Sequence, residues 1–140
     1  MLVDAKGIPL GLAVDGANCH DMKLVRQTLE SIPEDAERPR PTAAAPHGLC
    51  LDKGYDYDEV RALVAAFGFT AHLRTRGEEA QELKRHARAK ARRWVVERTH
   101  SWMNRFRGIL IRWTKKAENY LALLHMSLAF IIYRRLGLIG

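Results

Sequence analysis

Glu97 is the only acid in residues 93–107, where it sits among Arg93, Arg98, Arg105 and Arg107. On a helix at 100° per residue, Arg93, His100, Ser101, Asn104 and Gly108 fall within about 60° of it. Val95, Thr99, Trp102, Met103, Phe106, Ile109 and Leu110 fall on the opposite side. The segment therefore packs on one face and presents Glu97 with polar company on the other. A lone acid among cations, turned away from the core, suits a metal or a phosphate. The plainer alternative is an i,i+4 partner for Arg93 or Ser101 on a solvated face.

Asp52 is the second candidate, in Leu51-Asp52-Lys53-Gly54-Tyr55-Asp56 at the end of a predicted strand. Ligands of open α/β sheets gather beyond the carboxyl ends of strands. Mg²⁺ takes one or two carboxylates together with phosphate oxygens. The plainer alternative is an aspartate that caps its own turn. Paired with Glu97, Asp52 gains weight, because two acids from separate elements can converge on one cleft. His20 and Asp21 would border the same cleft, although a helix cap is the simpler role for Asp21. Arg93, Arg98, Arg105, Arg107 and Arg112, then Lys115 and Lys116, interleave with three tryptophans. That pattern makes a surface for gripping a nucleic-acid backbone. Trp102 falls on the core side, whereas Trp94 lies nearer Glu97 and is freer to stack on a base.

The elements that must position these groups follow from patterning. Leu2-Val3-Asp4 and the apolar run 8–14 read as a hairpin around Ala5-Lys6-Gly7. The first strand starts without a polar lead-in, as if the sheet began earlier in a longer parent. A helix over 22–31 should turn Leu24, Val25 and Leu29 inward. The Pro-rich stretch 33–46 reads as a surface loop. Gly48-Leu49-Cys50-Leu51 reads as a short buried strand, and a helix from Asp58 through Phe67 ends at Gly68. A strand over 69–74, a charged segment over 78–93, one helix over 94–113 and a last helix over 118–136 complete the chain. The order implies a mixed α/β fold with a partly parallel sheet.

At 140 residues and 47% apolar content the chain suits one globular domain. Residues 1–70 carry a net charge of −4 and residues 71–140 a net of +11, which fits a polyanionic partner. Cys19 and Cys50 have no CxxC neighbour, so they read as reduced, half-buried thiols rather than zinc ligands or a disulfide framework. No secretory signal opens the sequence. The apolar run 120–133 is shorter than the roughly 20 residues that span a bilayer. A cytoplasmic protein is expected. The 120–136 helix offers a homodimer contact, but its apolar face is more simply core.

The stretch Gly48-Leu49-Cys50-Leu51-Asp52-Lys53-Gly54-Tyr55-Asp56, taken with the segment 93–106, resembles the DDE transposases of bacterial insertion sequences, nearest the insertion-sequence-5 type. Residues 2–10 and 18–21 share in the resemblance. It implies a ribonuclease-H-like fold, a mixed sheet flanked by helices, and an active site of two Asp and one Glu holding two Mg²⁺ or Mn²⁺ ions. It implies cleavage and transfer of DNA strands by in-line displacement. Double-stranded DNA is the implied partner, both transposon terminal repeats and target. By position Asp52 matches the second Asp, Glu97 the Glu, and Arg93 the arginine of the glutamate signature. Arg93, Trp94, Arg98, Asn104, Arg105, Arg107 and Arg112 become the implied DNA contacts. The sequence departs from the wider signature at Lys90, where a Tyr is usual, and at Asn104, where a Lys is usual.

The family's first Asp lies on a strand upstream of the hairpin. Asp4 is in the wrong motif to replace it, and Asp15 follows the hairpin. The expectation is a sheet lacking its N-terminal strand: sheet and helices over 1–76, a basic loop and Glu-bearing helix over 77–116, and a C-terminal helix over 117–140. Such a chain would be the C-terminal catalytic part of a transposase, inactive alone, either a remnant or completed by an upstream-frame segment. Two other classes compete. One is a non-catalytic DNA-binding regulator of an intact transposase. The other is a metal-dependent nuclease on a similar fold, which would need a third acid that the sequence does not place.

Overall fold

The computed structural model describes residues 1–16, 18–33, 41–73 and 94–138. Strands β1 (Leu2–Val3) and β2 (Pro9–Gly11) pair antiparallel, with Leu2 opposite Gly11 and Val3 opposite Pro9. Asp4 makes the turn between them. Its Oδ1 accepts from the amides of Lys6 and Ile8, both at 2.8 Å. Gly7 sits at φ +82°, a region that costs residues with a Cβ about 1–2 kcal/mol. The expected strand to Val14 stops at Gly11 because the next amide, Leu12, donates to Ser31 Oγ at 2.8 Å. A helix end therefore takes the hydrogen bond that a neighbouring strand would have taken.

A 3₁₀ turn over Asp21–Lys23 leads into α1 (Leu24–Glu30), which buries Val25 and Leu29 while Leu24 is only half-buried. His20 serves the turn: its Nδ1 accepts from the Met22 amide at 3.4 Å. The cap expected of the Asp21 side chain lies outside the described residues. Strand β3 (His47–Leu51), helix α2 (Asp58–Ala66) and strand β4 (Phe69–Leu73) form a parallel crossover unit, with β3 and β4 paired in unbroken register from His47↔Phe69 to Leu51↔Leu73. Asp58 and Glu59 lie in the first turn of α2, where acids complement the helix dipole. Gly68 at φ +76° ends it. Strand β3 is buried on one face only: Leu49 is inside, whereas Cys50 is exposed and only Cys19 is half-buried. Alternation along a one-sided sheet accounts for that correction.

The segment expected as one helix over 94–113 is two, α3 (Trp94–Met103) and α4 (Arg107–Leu110). Between them the chain tightens, with Phe106 N bonded to Met103 O at 2.9 Å. Phe106 is extended, and its ring packs edge-on against Phe130 with the ring centres 5.9 Å apart. A straight helix of that length would run about 30 Å and carry Ile109 past its partners. The bend instead buries Ile109 against α5 (Ala117–Arg135) and leaves Leu110, expected in the core, 59% exposed.

Two apolar clusters result. Val25, Leu29, Leu49, Val60 and Val64 form one; Met103, Ile109, Leu124, Leu128 and Ile131 form the other. The hairpin serves both, because Leu2 packs on the first while Met1 and Leu12 pack on the second. The architecture is mixed α/β, with two small sheets, β1–β2 and β3–β4. Among the described residues no helix is long and apolar enough to cross a membrane.

Candidate functional site

Helix α3 holds Glu97 in place through its opposite face. Val95 and Met103 are buried, and Thr99 is wholly inaccessible. The Thr99 hydroxyl lies 2.8 Å from Gly7 O and 3.2 Å from Val95 O, so it ties the helix to the hairpin turn. A Cβ on Gly7 would stand 2.9 Å from Thr99 Oγ1, which makes glycine the residue that lets the two elements approach. Arg98 donates to Lys6 O at 2.6 Å, and its guanidinium lies 5.1 Å from the Trp102 ring centre. Arg135 stands 4.8 Å from the same centre. Trp102 is thus half-buried between two cations rather than deep in the core.

Away from that packing, Val96, Glu97, His100, Ser101 and Asn104 line an open hollow of about 260 Å³. It is the polar face expected from the helical spacing, shortened by the bend that removes Gly108 from it. Burial holds the His100 imidazole below its usual value. The unfolded chain then binds more protons than the folded one near the free-histidine range. The contribution of His100 is therefore full above that range and lost as pH falls through it. Melting curves from pH 7.5 down to 5 should show His100→Gln with a shallower loss of Tm than the parent. An identical slope would contradict this.

Asp52 follows β3 directly and caps a 3₁₀ turn, Lys53–Tyr55, with its Oδ1 accepting from Lys53 N at 2.6 Å. The capping role and an exposed carboxylate at the strand end coexist. Asp56 secures that turn, accepting from Lys53 Nζ and from Arg61 Nε (2.9 Å) and Nη2. The bonds from Lys53, then Arg61, hold its carboxyl below the usual range. This triad went unread in the sequence, although an acid flanked by Lys at i−3 and Arg at i+5 is a visible signal.

Asp52 is not among the residues lining the Glu97 hollow, and neither is His20, whose ring edge faces Tyr57 at 6.5 Å. Asp4 and Asp15 accept from turn amides, Asp15 from Gly16 N at 2.7 Å. Exposed carboxylates at 52 and 97 have the donor chemistry that Mg²⁺ prefers. Among the described residues, however, no group of three or more His, Cys, Asp or Glu gathers to hold a metal ion. These residues do not by themselves complete a two-ion site.

Of the expected DNA contacts, Asn104, Arg105 and Arg107 are exposed beyond the end of α3. Arg112 is also exposed, but its guanidinium lies 5.3 Å from the Tyr120 ring centre and its Nε donates to Thr114 O at 3.3 Å. Arg98 faces the hairpin, as described above. Arg93, the side chain of Trp94 and Lys90 lie outside the described residues.

Residues 49–134 match the family model described as "Transposase DDE domain", a span that includes both Asp52 and Glu97. The "Putative transposase for insertion sequence element IS402" of Burkholderia cepacia is 31% identical over 137 residues, 97% of this chain. The chain spans 62% of the length of that relative. No solved structure matches it. With the match running from the strand that presents Asp52 through the Glu97 helix to α5, the chain belongs to the DDE transposase family of insertion sequences.

Proposed function

We propose that this chain is the catalytic part of an insertion-sequence transposase of the insertion-sequence-5 type, acting on double-stranded DNA at the terminal repeats and the target. The observation that carries the proposal is the Glu97 face. A helix pinned by Thr99 to the hairpin turns its one acid outward, beside a cation-rich stretch, within the span of the family match. In this reading β1–β2 and β3–β4 are the two flanks of a ribonuclease-H-like sheet, over 1–76. The basic and Glu-bearing region covers 77–116 and the last helix 117–140. Asp52 and Glu97 are two of the acids that hold Mg²⁺ or Mn²⁺, and a further acid comes from another segment of the transposase. The bound ions would supply charge neutralisation at the reacting phosphate. Asn104, Arg105, Arg107 and Arg112, with Arg93 and Trp94, position DNA, and Arg98 supports the helix that carries Glu97.

The second reading is a non-catalytic regulator that grips DNA without cutting it. Among the described residues no group of three or more His, Cys, Asp or Glu gathers, which favours it for this chain in isolation. Both readings expect the chain to bind duplex DNA with an affinity that falls steeply with salt. Binding should survive Asp52→Ala and Glu97→Ala together, since removing acids removes repulsion. A gel-shift series over rising salt checks this, and loss of binding in the double variant would defeat both readings.

A further inference from the structure

Beyond α4 lies a surface that the Glu97 hollow does not use. Residues 105–116 contain Arg105, Arg107, Arg112, Lys115 and Lys116 and no acid. Inside this stretch Ile111 and Trp113 stand 54% and 78% exposed. Trp113 is the most exposed of the large hydrophobic residues described. Leaving an indole in water forgoes one of the largest burial gains a side chain can make. A large ring exposed among cations is the pairing used to hold bases by their faces and phosphates by charge.

The ring is also presented from a tethered loop. On its N-terminal side Ile111 is extended, at φ −122° and ψ 110°, and Ile109 O accepts from Tyr120 Oη at 3.3 Å. Arg112 lies against the Tyr120 ring and bonds Thr114 O, which closes the loop around Trp113. Helix α5 then starts after Lys116, whose side chain makes no capping hydrogen bond. Lys115 and Lys116 precede Glu118, the acid of the first turn, at the positive end of a 19-residue helix, where the dipole favours anions. A phosphate there would accept from first-turn amides and offset the lysine charge that Glu118 does not. Thr114 Oγ1 beside them is buried without a hydrogen-bond partner.

We infer that the 111–116 loop is a clamp for a DNA strand end: Trp113 stacks on an unpaired base while Lys115, Lys116 and the amino end of α5 hold the neighbouring phosphate. The inference rests on the DNA-binding reading above and names the surface and the form of DNA it takes. An unpaired base fits better than one stacked inside a duplex, because an exposed ring at a loop tip needs a free base face, and an overhang offers more of them than a blunt end.

The test is an anisotropy titration of the 140-residue chain with a labelled duplex bearing a short single-stranded overhang, against a blunt duplex of equal length. The overhang should bind more tightly and quench indole emission. Trp113→Ala should lower overhang affinity about tenfold to a hundredfold with little change for blunt DNA. Trp113→Phe should retain most of it. Lys115→Ala with Lys116→Ala should reduce the salt slope by about one for the overhang duplex, through the one phosphate they hold, and by less for blunt DNA. Equal melting temperatures would certify folding of these surface variants. The clamp alone is overturned if arginine and lysine variants weaken binding while Trp113→Ala binds the overhang as the parent does. It is overturned as well if Trp113→Ala instead abolishes self-association seen by sedimentation, which would make the ring a contact between copies of this chain. Failure of the parent chain to bind either DNA would overturn the clamp and the DNA-binding reading together.

Discussion

Gly68→Ala is expected to destabilise the chain by about 3 kcal/mol or more, the sum of a left-handed backbone penalty and an overpacking penalty. Gly68 holds φ +76°, and a Cβ there would meet Pro41 O at 2.2 Å, Pro41 C at 2.5 Å and Thr42 N at 2.8 Å. All three are backbone atoms, so no flexible side-chain end can move aside. The damage would reach the site, because the Gly68 carbonyl accepts from His47 N at 3.2 Å where β3 begins to pair with β4. That pairing sets where β3 ends and where Asp52 stands. Set against a total of about 5–15 kcal/mol for an ordinary domain, the loss should pull the urea midpoint down sharply at nearly constant slope. Gly54→Ala is the control, since a Cβ at Gly54 has nothing within 4 Å. Equal midpoints for the two variants would show that the Pro41 contact does not constrain the fold.

What the sequence disclosed and what it hid divide by the range of the interactions. Helix α2 is legible because its signals are local: acids in the first turn, Val60 and Val64 at helical spacing, and a glycine stop at Gly68. The outward face of Glu97 is legible for the same reason, since it depends only on the periodicity of Val95, Thr99 and Met103 beside it. The break at Phe106 is not. The apolar period runs straight through it to Ile109, and the bend is imposed by Phe130 and by Leu124, Leu128 and Ile131 on a later helix. The early end of β2 is hidden likewise, because the deciding acceptor is Ser31, 19 residues beyond Leu12. Any convergence of Asp52 with Glu97 would be of this second kind. Each acid is visible by its local setting, but a shared site depends on how the crossover unit and the α3–α5 layer come together.

Glu97→Gln or Asp52→Asn, placed in a full-length transposase that contains this sequence, should lower strand cleavage about a thousandfold or more, several kcal/mol of lost charge stabilisation. Each change keeps shape and removes one negative charge. If the two acids act as one unit, the double variant should be scarcely worse than either single one. DNA affinity should hold or rise, because a carboxylate near a polyanion is being neutralised. Tm should hold as well for Glu97→Gln, since Glu97 is exposed on the side of α3 opposite the buried Thr99. The competing assignment, an i,i+4 surface partner, predicts the reverse pattern: a cost of about 0.3–0.5 kcal/mol in stability and cleavage within a few-fold of the parent. Cleavage assays on transposon-end DNA with Mg²⁺ or Mn²⁺, run beside melting curves, separate the two, and retention of cleavage within tenfold would remove Glu97 from the catalytic site. The same assay on the 140-residue chain alone asks whether its own acids complete the site. Cutting by it that Asp52→Ala abolishes would mean that an acid outside the described residues completes the site. The third carboxylate would then have to be sought within this chain, among Asp21, Glu34, Asp35, Glu37, Glu78, Glu79 and Glu82.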